Sequence, residues 1–179
     1  VAKLKRLQKL SLKNNQIESL AYDSFKHEFL LQILDLSFNS LSDLSDQLFE
    51  DNAKLRIVYL GTNQLRSIPE QLFAKTLDLE MLDLSNNRLS VFPAKALSQA
   101  GKSLQTLNLA GNRIKALKKD DFEGLFKNLL NLDLNGNLIK QIKSNTFEEL
   151  SQLLTLDLSN NPLHTIKESV VTGLDNLES

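Results

Sequence analysis

The stretch Leu79-Glu-Met-Leu-Asp-Leu-Ser-Asn-Asn-Arg-Leu89 decides how this chain is read. Its frame, Leu-x-x-Leu-x-Leu-x-x-Asn-x-Leu with Ile allowed at the last position, recurs at 7–17, 31–41, 55–65, 104–114, 129–139 and 153–163. The anchoring asparagines are Asn15, Asn39, Asn63, Asn87, Asn112, Asn137 and Asn161, spaced by 24, 24, 24, 25, 25 and 24 residues. Val58 is the one change among the leucines ahead of the asparagine. Such fixed spacing marks a stacked array of repeats rather than a conventional domain.

Working outward from that frame, the Leu-x-Leu alternation has period two and predicts a short strand with both leucines on one face. Successive copies stack these strands into a parallel sheet, about 4.8 Å per step. The asparagine turns the chain out of the strand, and its amide can satisfy backbone groups that the turn would leave buried. Ten residues after each asparagine stands a large apolar residue: Phe25, Phe49, Phe73, Leu97, Phe122, Phe147 and Val171. These predict a second spine behind the sheet. At roughly 1.5–3 kcal/mol per buried large side chain, one repeat cannot offset its own ordering entropy without neighbours. The predicted class is an α/β solenoid with a concave parallel sheet and short helical or irregular convex segments.

Asn145-Thr-Phe-Glu148 and Asp120-Asp-Phe-Glu123 have the spacing of helix capping boxes on the convex side. Pro69 and Pro93 stand where the chain turns toward that side. The spacing Val171-x-x-Leu174-x-x-Leu177 matches Phe147-x-x-Leu150-x-x-Leu153, and Val1-x-x-Leu4-x-x-Leu7 matches both. Residues 1–179 are therefore expected to form one uncapped array of seven repeats in register. Because uncapped arrays expose apolar ends, it is expected to be an interior segment of a longer array.

The unit Leu-x-x-Leu-x-Leu-x-x-Asn-x-Leu-x-x-Leu-x-x-x-x-Phe, with blocks such as Leu156-Asp-Leu-Ser-Asn-Asn161 and Leu107-Asn-Leu-Ala-Gly-Asn112, resembles the typical-class leucine-rich repeat. Toll-like receptors and chaoptin-type ectodomains carry that repeat, and the likeness covers the whole chain. It implies a horseshoe fold and a ligand-binding or adhesive ectodomain at the cell surface, innate immunity included. The family's usual disulfides and glycans have no counterpart here, because the chain has no cysteine and no Asn-x-Ser/Thr acceptor. A cysteine-free chain also fits a reducing compartment. An intracellular scaffold and a structural or homotypic adhesive array therefore stand as alternative readings.

The residues between the leucines point outward onto the concave sheet. One row is Lys9, Ile33, Ile57, Met81, Thr106, Asn131 and Thr155; the next is Ser11, Asp35, Tyr59, Asp83, Asn108, Asp133 and Asp157. Just before the asparagines come Asn14, Phe38, Thr62, Asn86, Gly111, Gly136 and Asn160. Repeats two to four thus gather Ile33, Phe38, Ile57, Tyr59 and Met81, rimmed by Asp35 and Asp83. An exposed apolar group with an aromatic anchor and a polar rim has the composition of a protein-binding hot spot. Repeats five to seven present mainly Asn, Thr, Asp and Gly. The expected partner is a protein ligand or another leucine-rich repeat chain.

Other chemistries have weaker signals. The acidic line Asp35, Asp83, Asp133 and Asp157 suggests cation binding, but a stiff ladder offers fewer oxygens than calcium takes, and no metal is expected. Arg66, Arg88, Arg113, Lys115, Lys118, Lys119 and Lys140 gather on the flank after the asparagines, diluted by Asp120, Asp121 and Glu123. With a formal net charge of −1, no nucleic-acid partner is expected. No apolar run reaches 18 residues, so a membrane would be met only through regions outside this sequence. His27 and His164 lie far apart, and neither stands beside Ser37, Ser85 or Ser159. No catalytic residues and no cofactor are expected.

Overall fold

The first leucine of each Leu-x-Leu pair, Val58 in the third, centres a three-residue strand in the computed structural model, which describes residues 6–179. The strands are β1 Lys9–Ser11, β2 Ile33–Asp35, β3 Ile57–Tyr59, β4 Met81–Asp83, β5 Thr106–Asn108, β6 Asn131–Asp133 and β7 Thr155–Asp157. They pair in parallel, in chain order and without a register slip, as one seven-stranded sheet. Leu34, Val58, Leu82, Leu107 and Leu132 are sealed beneath it, as are Leu36, Leu60, Leu84, Leu109 and Leu134 one pleat later. The match of Val1-x-x-Leu4 to the repeat falls partly outside the described residues.

Asparagine does more than turn the chain: it ties each repeat to the one before. Asn63 Nδ2 donates to Leu60 C=O in its own repeat and to Leu36 C=O in the previous one, both at 3.1 Å. Its Oδ1 accepts the Leu41 N–H at 3.0 Å. The same three bonds recur at Asn39, Asn87, Asn112, Asn137 and Asn161. Each amide thereby satisfies backbone groups that lie away from water. Among the described residues, Asn15 bonds to the Leu12 and Lys13 carbonyls of its own repeat and to none one repeat earlier.

The residue ahead of every ladder asparagine lies in the left-handed region: Asn14, Phe38, Thr62, Asn86, Gly111, Gly136 and Asn160, with φ from 52° to 64°. Glycine and asparagine tolerate this conformation, whereas it strains phenylalanine and above all β-branched threonine.

Behind the sheet, Phe25, Phe49 and Phe73 stack with ring centroids 6.1 and 5.7 Å apart. Leu97 interrupts the aromatic series, and Phe92 and Phe126 pack against Phe122, which meets Phe147 at 5.2 Å. The last member of the expected spine is corrected: Val171 is 47% exposed, and Val170 is buried instead. The segment Glu168–Val170 winds as a 3-10 turn, which rotates successive side chains by about 120°, so only one of two adjacent valines faces inward.

The expected capping boxes are also corrected. Asn145 is itself left-handed at φ 61°, which removes it from an N-cap geometry. Thr146 Oγ1 donates to Lys143 C=O there instead. In the preceding repeat Asp121, not Glu123, reaches back, its Oδ2 accepting the Lys118 N–H at 2.8 Å. The convex side is otherwise a series of turns with 3-10 segments at Ala100–Lys102 and Lys119–Asp121.

Candidate functional site

Strand pleating points the residues flanking each sealed leucine at solvent on the inner face of the curve. Ile33, Ile57 and Met81 are register partners across β2, β3 and β4, and Asp35, Tyr59 and Asp83 form the adjoining row. All six are half-buried, each leaning on its neighbours. Phe38 stands at the strand exit with 49% of its surface exposed, and Lys13 Nζ lies 5.2 Å from its ring centroid. Ile33, Asp35, Phe38, Ile57, Tyr59 and Asp83 line one open groove together. Met81 lies at its far rim, where a second groove runs on over Asn108, Asn131, Asp133 and Asp157. The ladder residues Asn39, Asn63, Asn87, Asn112 and Asn137 are buried and do not face a partner, whereas Asn15 is exposed at the first repeat.

The acidic line has a structural task that the sequence reading did not assign. Asp35 Oδ1 accepts the Ser37 N–H at 3.0 Å and its hydroxyl at 2.6 Å. Asp83 Oδ1 accepts the Ser85 N–H, Asn108 Oδ1 the Ala110 N–H, Asp133 Oδ1 the Asn135 N–H and Asp157 Oδ1 the Ser159 N–H. These are Asx turns closing the strand exit, and Asp or Asn two residues before a turn is the signal for them. One oxygen of each carboxylate is thus committed to the backbone. Burial pushes the Asp133 carboxyl up, helped by the charges of Asp157 and Asp83 and opposed by the Asn135 N–H. The Ser159 hydroxyl and N–H hold Asp157 down. Among the described residues, no three or more possible ligand side chains converge on a cation position.

Elsewhere the side chains are dispersed. Arg66, Arg113, Lys115, Lys118 and Lys140 stand exposed along the flank, Arg88 is half-buried, and Lys119 pairs with Glu148. His27 lies 3.4 Å from Asp51, which also accepts its backbone N–H, and His164 is exposed in the last repeat.

A second polar ladder was not anticipated. Asn52 is wholly buried and donates to Phe25 and Glu28 carbonyls one repeat earlier, while Ser103, Asn128 and Asn176 reach Leu79, Lys102 and Ser151 carbonyls. Ser103, Asn128 and Asn176 share one place, directly before Leu104, Leu129 and Leu177, whereas Asn52 stands three residues before Leu55, and the changing residue type hides the ladder in the sequence.

The Leucine rich repeat family model matches residues 29–89, 53–102, 78–129, 102–163 and 127–179. No curated protein matches the chain. Among solved structures it is similar to a Toll–Spatzle complex described for Drosophila development and innate immunity, at 32% identity and a TM-score of 0.80. That match covers 87% of this chain and 22% of the other. A TLR13–ssRNA13 complex is similar at 28% identity and a TM-score of 0.79, covering 96% of this chain and 28% of that one. The chain thus spans less than a third of either structure.

Proposed function

The chain belongs to the leucine rich repeat family, and from that premise we propose that it is a recognition solenoid that binds a protein ligand on β2–β4 of its concave face. The reading places it in the ectodomain of a cell-surface or extracellular receptor, and the Toll likeness supports that setting. The Toll and TLR13 structures it resembles are recognition folds, and that likeness favours recognition over catalysis.

One observation carries the reading. Within a single sheet of constant register, the outward side chains change from Ile33, Ile57, Tyr59 and Met81 to Thr106, Asn131, Asp133 and Asp157. Folding does not require that change, since aliphatic residues lie beneath both halves, Leu34, Val58 and Leu82 in the first and Leu107, Leu132 and the partly buried Leu156 in the second. The apolar part has the composition of an interface core and the polar part that of a rim. A TLR13 structure is named with single-stranded RNA. On this chain the concave row carries carboxylates, which oppose a phosphate backbone, so a protein is favoured there.

The test is crosslinking capture with the native chain beside an Ile57→Asp, Tyr59→Ala double variant. The expected outcome is a partner protein held by the first and lost, at least tenfold, by a folded variant. Capture of the same species by both chains, or of copies of the chain alone, would transfer the function to a lateral or homotypic surface.

A further inference from the structure

The groove over β2–β4 has a charge pattern as well as an apolar one. Tyr59 lies in register between Asp35 and Asp83, one strand to either side. At about 4.8 Å per strand, the two aspartates stand roughly 10 Å apart across the tyrosine. Asp35 and Asp83 each spend Oδ1 on their turns, and both residues line the groove. Asp83 leans toward the exit of β3: its Oδ2 sits 2.7 Å from where a Cβ on Gly61 would stand. The corresponding positions before and after are Ser37 and Ser85, so glycine is what opens this space. Among the described residues no cation of the chain pairs with Asp35 or Asp83. Lys9 and Lys13 line the groove from the first repeat, but Lys13 lies over the Phe38 ring.

Two carboxylates flanking an aromatic face attract a positive charge both by Coulomb attraction and through the ring's electron density. We propose that this groove takes an arginine or lysine side chain of a protein partner, seated on Tyr59 between Asp35 and Asp83, with an aliphatic neighbour on the row Ile33, Ile57 and Met81. The proposal rests on the reading of this face as a protein-binding surface and adds the chemistry of what binds. The two rows are one side chain apart, so a partner segment in which a basic residue adjoins an aliphatic one matches both.

The probe is a library of random twelve-residue peptides displayed on phage and selected on the immobilised native chain. Selected peptides are then measured against Asp35→Asn, Asp83→Asn and, separately, against Ile57→Asp. Asparagine at this row keeps the turn, as Asn108 does natively on β5 with its bond to Ala110. The expected result is enrichment of Arg or Lys beside Leu, Ile or Val. Binding should fall about tenfold in the double asparagine variant, and by more in Ile57→Asp. Enriched peptides without a basic residue, lost on Ile57→Asp, would overturn the cation seat while leaving the protein-binding face intact. A basic consensus bound equally by the double asparagine variant would place the cation elsewhere and overturn it. Peptides indifferent to Ile57→Asp, or no enrichment at all, would remove both readings.

Discussion

Strands β2–β4 and β5–β7 share one scaffold and differ on one surface. In both halves the ladder asparagines make the same three inter-repeat and intra-repeat bonds, and aliphatic residues pack below, sealed everywhere but at β7, where Leu156 and Leu158 are partly buried. Outward, the first half is aliphatic and aromatic and the second is polar. The halves differ in strain too. At the left-handed position the first half holds Phe38 and Thr62 beside Asn86, whereas the second holds Gly111, Gly136 and Asn160. Left-handed backbone costs an L-residue about 1–2 kcal/mol. The chain's own sequence shows that glycine or asparagine would avoid that cost. The lesson is that inward positions determine stability while outward positions are free to vary, and strained backbone tends to gather where function is sited.

The largest expected effect tests whether the scaffold is truly common to both halves. Asn63→Ala and Asn137→Ala each strand two or three backbone groups, at about 1–3 kcal/mol apiece, so each should destabilise by about 3–5 kcal/mol. Denaturant unfolding followed by circular dichroism measures both. A gap between them larger than about 2 kcal/mol would mean the halves are held by different forces, which breaks the comparison. Next comes an exchange at the left-handed row. Thr62→Gly should stabilise by about 0.5–1 kcal/mol, relief of strain being partly offset by glycine's unfolded entropy. The reverse change, Gly136→Thr, has room for its Cβ, whose nearest neighbour would be Gly111 N at 3.6 Å, and should cost about 1–2 kcal/mol from the backbone alone. If Thr62→Gly destabilises, threonine is making a compensating contact and the asymmetry in strain is not real.

The repeat frame made the sheet, its register, the asparagine ladder and six of seven spine positions legible in the sequence. Each is a consequence of fixed spacing, which survives in one dimension. Val171 failed because two adjacent valines are equivalent in sequence, and only the 3-10 turn decides which faces inward. The capping boxes failed because Asn145 takes a left-handed conformation that its spacing to Glu148 cannot reveal. At the candidate site, the outward rows were read from alternation alone. The Asx turns behind Asp35 and Asp83 stay hidden in the sequence because an acidic line suggests a cation as readily as it does the backbone two residues on. The space above Gly61 depends on how Asp83 leans back toward the preceding repeat, a distance that no linear pattern encodes.

The smallest effect sharpens the comparison along the acidic row. In β2–β4 Tyr59 separates the two aspartates, while Asp133 and Asp157 are direct register partners on β6 and β7. Asp133, held above its ordinary value chiefly by burial, binds its proton more readily folded than unfolded. Its ionisation therefore opposes folding: stability falls as pH rises from the ordinary carboxylate range through the raised value, and the penalty is complete above it. Asp133→Asn removes that penalty and keeps an acceptor for the Asn135 N–H. It should raise Tm at pH 7 by about 1 °C, modest because solvent screens a half-exposed site, and by nothing near pH 3. Asp157 behaves oppositely, since the Ser159 hydroxyl and N–H favour its charged form and contribute stability that is lost as pH falls through the lowered value. Asp157→Asn should accordingly lower Tm slightly at pH 7. Thermal scans of both variants from pH 3 to 7 decide the matter: shifts of the same sign would mean mutual repulsion governs the pair, and opposite signs that each carboxylate answers to its own turn.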